Sequence, residues 1–157
     1  MRVIGIDPGS RFTGWGIVEQ CRSRLLHVDS GVIVLNAKLP VLMRLGTIAA
    51  EVARILEIYS PEQASVEEIF VSHNVQSALK LGQARGAAVV ALAQADLDIY
   101  EYTPRKIKQA VVGSGNAEKQ QVQHMVKLIL GLPEVPEENA SDALAAAICH
   151  IHSRGNL

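Results

Sequence analysis

Arg2-Val3-Ile4-Gly5-Ile6-Asp7-Pro8-Gly9-Ser10 is the stretch on which the fold turns. Val3, Ile4 and Ile6 give residues 2–7 the character of a strand. Asp7-Pro8-Gly9-Ser10 then stops it in a turn, with Pro and Gly supplying the φ values a turn needs. The first strand therefore ends on a carboxylate. Residues 13–20 and 25–35 follow, rich in Val, Ile and Leu with Gly between them, and complete a three-stranded antiparallel meander.

Beyond the meander the period changes. Leu42, Leu45, Ile48, Ala49, Val52, Ile55, Leu56 and Tyr59 recur at helical spacing, and Pro61 stops them. Ala64-Ser65-Val66-Glu67 is a short strand, which the intervening helix can carry back parallel to the first. Residues 75–95 form an alanine-rich helix with Gly82 and Gly86 four apart on one face. Interior glycine costs a helix roughly 1 kcal/mol relative to Ala, so the pair points to close approach by another backbone, inside the protomer or across an interface. Ile99–Tyr102 is a last strand. Gly113-Ser114-Gly115-Asn116 is a loop, with Asn116 as N-cap of a helix over 117–130. Pro133 and Pro136 break the chain before a final helix over 140–152. The expected order is β-β-β-α-β-α-β-α-α, an α/β mixed sheet in one domain spanning 1–157.

Composition narrows the class. With 157 residues, 48% hydrophobic and 20% charged, the chain reads as one globular domain. No apolar run reaches the ~20 residues of a membrane-spanning helix. The opening residues lack a signal-peptide pattern, so a cytoplasmic location and no membrane partner are expected. Cys21 and Cys149 are accordingly expected as free thiols. Net charge is only −1, but its distribution is uneven. Arg105, Lys106, Lys108, Lys119 and Lys127 face only Glu118 within 103–127, and then Glu134, Glu137, Glu138 and Asp142 follow with no base among them. A nuclease needs both, cations for phosphate and carboxylates for metal ions.

The acidic positions carry the chemistry. Asp7 and Glu67 each end a strand, and two parallel neighbouring strands would deliver both to the same end of the sheet, where open α/β sheets bind ligands. Asn139 and Asp142 are three apart at the start of the last helix and share a face. Converging carboxylates of this kind hold hard divalent ions. Each residue alone has an ordinary alternative. Asp7 can serve the turn, Glu67 can be solvated, Asn139 can cap the last helix, and Asp142 can face its dipole. Their joint placement favours a site. Strand alternation turns Glu68 away from it. Phe12 reads as packing, and His27, His73, His124, His150 and His152 as structural or surface residues.

Several motifs also match a known family. Ile6-Asp7-Pro8-Gly9-Ser10-Arg11 with Thr13-Gly14-Trp15-Gly16 closely resembles the opening of the RuvC family of Holliday junction resolvases. Val66-Glu67-Glu68-Ile69-Phe70 resembles its second acidic motif, and Ser141-Asp142-Ala143-Leu144-Ala145 its last. The runs 77–86, 106–113 and 117–123 match as well, so the resemblance spans essentially the whole chain in order. It implies a ribonuclease-H-like fold: a mixed five-stranded sheet, three antiparallel strands then parallel crossovers, with helices on both faces. It further implies a homodimer that resolves four-way DNA junctions by paired symmetric nicks, in recombination and repair. The implied cofactor is Mg²⁺, replaceable by Mn²⁺, two ions per active site. Asp7, Glu67 and Asp142 would be metal ligands, and Lys108 and Lys119 would lie near the scissile phosphate. Phe70 would stack on bases at the crossover. Lys80, Arg85 and Lys106 would contact DNA. The face bearing Gly82 and Gly86 would lie near the dimer axis, and the implied partners include the branch-migration proteins RuvA and RuvB.

One position departs from the pattern. Asn139 stands where the family usually has a fourth catalytic Asp, or His in some members. A neutral amide is a weaker ligand and no base, so reduced cleavage is expected. The alternatives are a junction-binding protein that does not cut, and a ribonuclease acting on RNA–DNA hybrids. An actin-like ATPase, which can also open on Asp-x-Gly, needs two such domains and a longer chain.

Overall fold

The computed structural model describes residues 1–70 and 74–154. Its elements are β1 (Arg2–Asp7), β2 (Phe12–Cys21), β3 (Arg24–Val34), α1 (Val41–Tyr59), β4 (Gln63–Glu67), α2 (Val75–Gln94), β5 (Asp98–Tyr102), α3 (Pro104–Val112), α4 (Lys119–Leu130) and α5 (Glu138–Arg154). The sheet order is β3-β2-β1-β4-β5. β1 pairs antiparallel with β2, and β2 with β3, while β4 lies parallel to both β1 and β5. This is the expected mixed sheet.

Alternation along β1 divides the interior. Ile4 and Ile6 point to a core shared with Ile48, Val52 and Ile55 of α1 and Ala84, Ala88 and Leu92 of α2. Val3 points to the opposite core, with Ile107 and Val111 of α3, Val122 and Val126 of α4, and the small-residue face of α5. Helices therefore cover both faces.

The seat of α5 is made by glycine. A Cβ on Gly5 would lie 1.8 Å from the Ala143 carbonyl oxygen, and one on Gly14 would lie 2.0 Å from that of Asn139. Only a residue without a side chain lets a helix backbone rest on the strand backbone this closely. Ser65 adds a hydrogen bond from its hydroxyl to the Ala146 carbonyl at 2.8 Å, in the buried layer between β4 and α5.

The structure corrects four local readings. A helix, α3, fills the segment after β5, making five helices instead of four among the described residues. Thr103 caps it through Lys106 N–H, Pro104 opens it, and Ile107 and Val111 are its buried residues. Two apolar positions are too few to announce a helix by period alone. α4 begins at Lys119 with a reciprocal capping box between Glu118 and Gln121, so Asn116 is not its cap. α5 begins at Glu138, and the Glu137 carboxylate accepts from Ala140 N–H, so Asn139 is within the first turn. Phe12 is 45% exposed at the start of β2 and is not a packing residue.

Cys21 is exposed and Cys149 buried, both as free thiols. His150 is fully buried between Tyr102 and Gln63. His73 lies outside the described residues.

Candidate active site

β1 and β4 run parallel in register, with Ile6 beside Val66, so Asp7 and Glu67 emerge together at one end of the sheet. Asp7 is also the ladder partner of Gly14, the residue on which the Asn139 carbonyl rests. The strand pairing that places Asp7 therefore also brings the first turn of α5, and with it Asn139 and Asp142, to the same end.

Two adjoining cavities open there. One, of about 220 Å³, has Glu67, Lys108, Lys119 and Asp142 in its walls. The other, of about 290 Å³, is bounded by Asp7, Glu67, Glu68 and Phe70. Glu68 thus lines the site, contrary to the alternation argument. β4 ends at Glu67, and beyond a strand's end its period no longer sets direction.

Burial and crowding dominate the electrostatics. Burial, then the charges of Asp142 and Glu67, push the Asp7 carboxyl up to about 7. Glu67 is raised by burial and by Asp142. Asp142 is raised too, because burial outweighs the Lys119 ammonium 3.1 Å from its Oδ2. Burial works against the charge of Lys119, but hydrogen bonds to Glu138 and Asp142 hold it above the ordinary lysine range. Three carboxylates crowded at a half-buried sheet end are a set whose charge calls for a cation.

Their chemistry fits a hard divalent ion, which takes oxygen ligands and favours anionic ones. Among the described residues no three acidic, imidazole or thiol groups are drawn into a closed metal cage. The cation that Asp142 touches is the Lys119 ammonium.

The other expected residues divide. Lys108 lines the cavity and its charge acts on Glu67. Phe70 is 66% exposed at the cavity rim, where core packing does not hold it. Lys80 is exposed on α2, and the Lys106 ammonium sits 4.8 Å from the centre of the Tyr102 ring. Arg85, expected as a DNA contact, is engaged within the protomer. Its side chain is 19% exposed, paired with Glu101 at 2.7 Å and bonded to the Glu67 carbonyl at 3.3 Å. It braces the strand end that carries Glu67.

A Cβ on Gly86 would meet nothing within 4 Å, and one on Gly82 only Ile69 at 3.9 Å. Tight packing inside the protomer is therefore not their purpose. Val75, Leu79 and Val90 fall on the same helical stripe and are 65%, 63% and 53% exposed.

Sequence reasoning missed Glu137 and Glu138 as neighbours of the site. The acidic run without a base was the available signal.

The sheet order, with carboxylates gathered at the ends of its two central parallel strands, defines a nuclease of the ribonuclease-H-like class. Within that class the chain belongs to the RuvC family: the description "Crossover junction endodeoxyribonuclease RuvC" matches residues 3–150. The crossover junction endodeoxyribonuclease RuvC of Geobacter sulfurreducens is 54% identical, over 98% of this chain and 93% of that protein. That of Pelobacter propionicus is 56% identical, over 98% and 87%. The structure of T. thermophilus RuvC in complex with Holliday junction substrate superimposes with a TM-score of 0.92 at 37% identity, covering 98% of this chain and 94% of that one. The yeast mitochondrial Holliday junction resolvase Ydc2, at 13% identity and TM-score 0.70, shares the fold. No helix among the described residues is long and apolar enough to cross a membrane.

Proposed function

We propose that this chain is a structure-selective endonuclease that resolves four-way DNA junctions by paired symmetric nicks in homologous recombination and repair. The observation that carries this reading is the meeting of Asp7, Glu67 and Asp142 around cavities that Lys108 and Lys119 also line. The nuclease unit is the single domain 1–157, working in the cytoplasm.

Asp7, Glu67 and Asp142 are the groups that would hold divalent metal, Mg²⁺ or Mn²⁺, two ions per site. When bound, the metal lowers the pKa of the attacking water and neutralises the departing 3′ oxygen. The rest falls to the protein. Asp7 must lose its proton before it can act as a ligand, so protons compete with metal near neutral pH. Lys119 opens α4, where backbone N–H groups also point outward, and it can move from Asp142 to a phosphate oxygen. Lys108 draws phosphate into the same cavity. Lys80 and Lys106 extend the cationic path along the DNA. Phe70 stacks on an unpaired base at the opened crossover, worth ~1–3 kcal/mol. Arg85 acts indirectly by fixing the end of β4.

A junction has approximate two-fold symmetry, and a two-fold dimer places one site on each of two like strands. The open stripe at Gly82 and Gly86 is the dimer contact in this reading. RuvA and RuvB, which move the branch point, are the expected partners.

A second reading, a junction binder that does not cut, is favoured by one observation. Asn139 places an uncharged amide beside Asp142, with its Nδ2 hydrogen-bonded to Glu137. Incubation of a labelled four-way junction with Mg²⁺, beside an Asn139→Asp variant, separates the two. Paired nicks by both establish Asn as sufficient, and paired nicks by the variant alone establish an impaired nuclease. Failure of both to cut or bind a junction ends the resolvase reading. Cutting of a hybrid RNA–DNA duplex in place of the junction would identify a ribonuclease instead.

A further inference from the structure

Asn139 does not stand alone in the first turn of α5. Its side-chain Nδ2 donates to Glu137 Oε1 at 2.8 Å, while Glu137 Oε2 accepts from Ala140 N–H at 3.1 Å. Both carboxylate oxygens of Glu137 are therefore engaged, and the second bond ties it to the helix backbone. An amide has one end that repels cations and one that attracts them. A free amide can turn either way at little cost. Here the N–H end is taken by a carboxylate, which fixes the rotation of the amide and leaves its oxygen as the end that Glu137 does not engage.

The geometry points to Glu137 as a positioning residue that compensates for asparagine at position 139: it fixes the rotation of the Asn139 amide and returns the negative charge an amide lacks. The field of Glu137 is felt at both Asp7 and Asp142, so its charge reaches the carboxylate cluster. The inference rests on the metal-dependent reading above. It predicts a dependence between two neighbours. With Asn at 139, Glu137 supports cation binding. With Asp at 139, it faces a like charge and hinders.

The test measures Mn²⁺ binding to the full chain by the loss of the free ion's electron paramagnetic resonance signal. The unaltered chain is compared with E137Q, N139D and E137Q/N139D. E137Q weakens Mn²⁺ binding by about tenfold in the asparagine background, the effect typical of a group that orients a ligand. In the N139D background the same change leaves binding equal or stronger. An equal loss in both backgrounds overturns the inference, because a helix cap alone would act equally in both. A second readout needs neither metal nor DNA. In ¹⁵N-asparagine-labelled protein, E137Q moves the side-chain amide resonance of Asn139, and an unmoved resonance rules the contact out. Failure of the unaltered chain and N139D to cut any junction would remove the nuclease reading, while the amide resonance would still decide the Glu137 contact separately.

Discussion

Asp7 concentrates the conflict of this site in one group. Its carboxyl prefers the neutral form up to about pH 7 in the folded chain, against an ordinary value of 3.8. A raised carboxylate favours folding while protonated. Without metal, stability is therefore lost as pH rises from about 4 through 7. Asp7→Asn removes that penalty. In thermal melts of the metal-free protein at pH 8 the variant melts higher, with an upper bound of about 4 kcal/mol, and it does not cut a junction. An unchanged or lower melting temperature would show that Asp7 is not held under strain. Glu67 and Asp142, raised for the same reason, add to the trend. Divalent metal should reverse it, seen as a larger melting shift at pH 8 than at pH 5.

At the scale of elements, α5 is the part that completes the site, and its position depends on what β1 and β2 lack. Gly14→Ala places a methyl 2.0 Å from the Asn139 carbonyl, and backbone on both sides leaves little room to yield. The first turn of α5 must lift, costing about 1–3 kcal/mol or more. Mn²⁺ binding falls with it, measurable by calorimetry beside the melt. Normal binding at unchanged stability would mean that α5 is not seated as described. Farther along, α5 is locked to β4 and β5 through His150. Gln63 Oε1 can only accept, so Nε2 of His150 carries the proton, and Nδ1 accepts from the Tyr102 hydroxyl. Burial, with Arg154 adding to it, pushes this imidazole down to about 4. Its stabilisation is present above pH 6.5 and is lost as pH falls toward 4, opposite in sign to Asp7. Ring-nitrogen NMR isolates it, because the neutral Nε2–H tautomer should persist to about pH 4. Titration near 6.5 would show an open network.

At the scale of the whole molecule, the proposed dimer requires a surface that its own protomer leaves uncovered. The stripe from Val75 through Leu79, Gly82 and Gly86 to Val90 is such a surface. In Gly86→Arg the new Cβ meets nothing within 4 Å inside the protomer and the exposed stripe leaves the long side chain an outward path, so beyond the loss of a helix glycine its melting should change little. It should shift sedimentation from dimer to monomer and turn paired nicks into scattered single ones. A dimer that persists places the interface elsewhere. Cleavage should also weaken steeply with salt, despite a net charge of −1, because Lys108 and Lys119 both line the cavity.

Local residue order was enough to read all five strands, the mixed sheet, the helices α1 and α2, and a carboxylate at the end of β1 and of β4. These depend on period, turn residues and short-range sterics, which neighbours in sequence decide. The nine-residue α3 escaped because it buries little, and the α4 cap because Glu118 and Gln121 act only as a pair. The remainder belongs to distant partners. Arg85 meets Glu101, Lys119 meets Glu138 and Asp142, and Gly14 meets the backbone of Asn139 only after the chain has closed. The sequence by itself determined which carboxylates end the central strands and open the last helix, and where the basic residues cluster. The tertiary structure alone decided how deeply they are buried and which charges they face, because desolvation and Coulomb forces depend on distances that sequence spacing does not set.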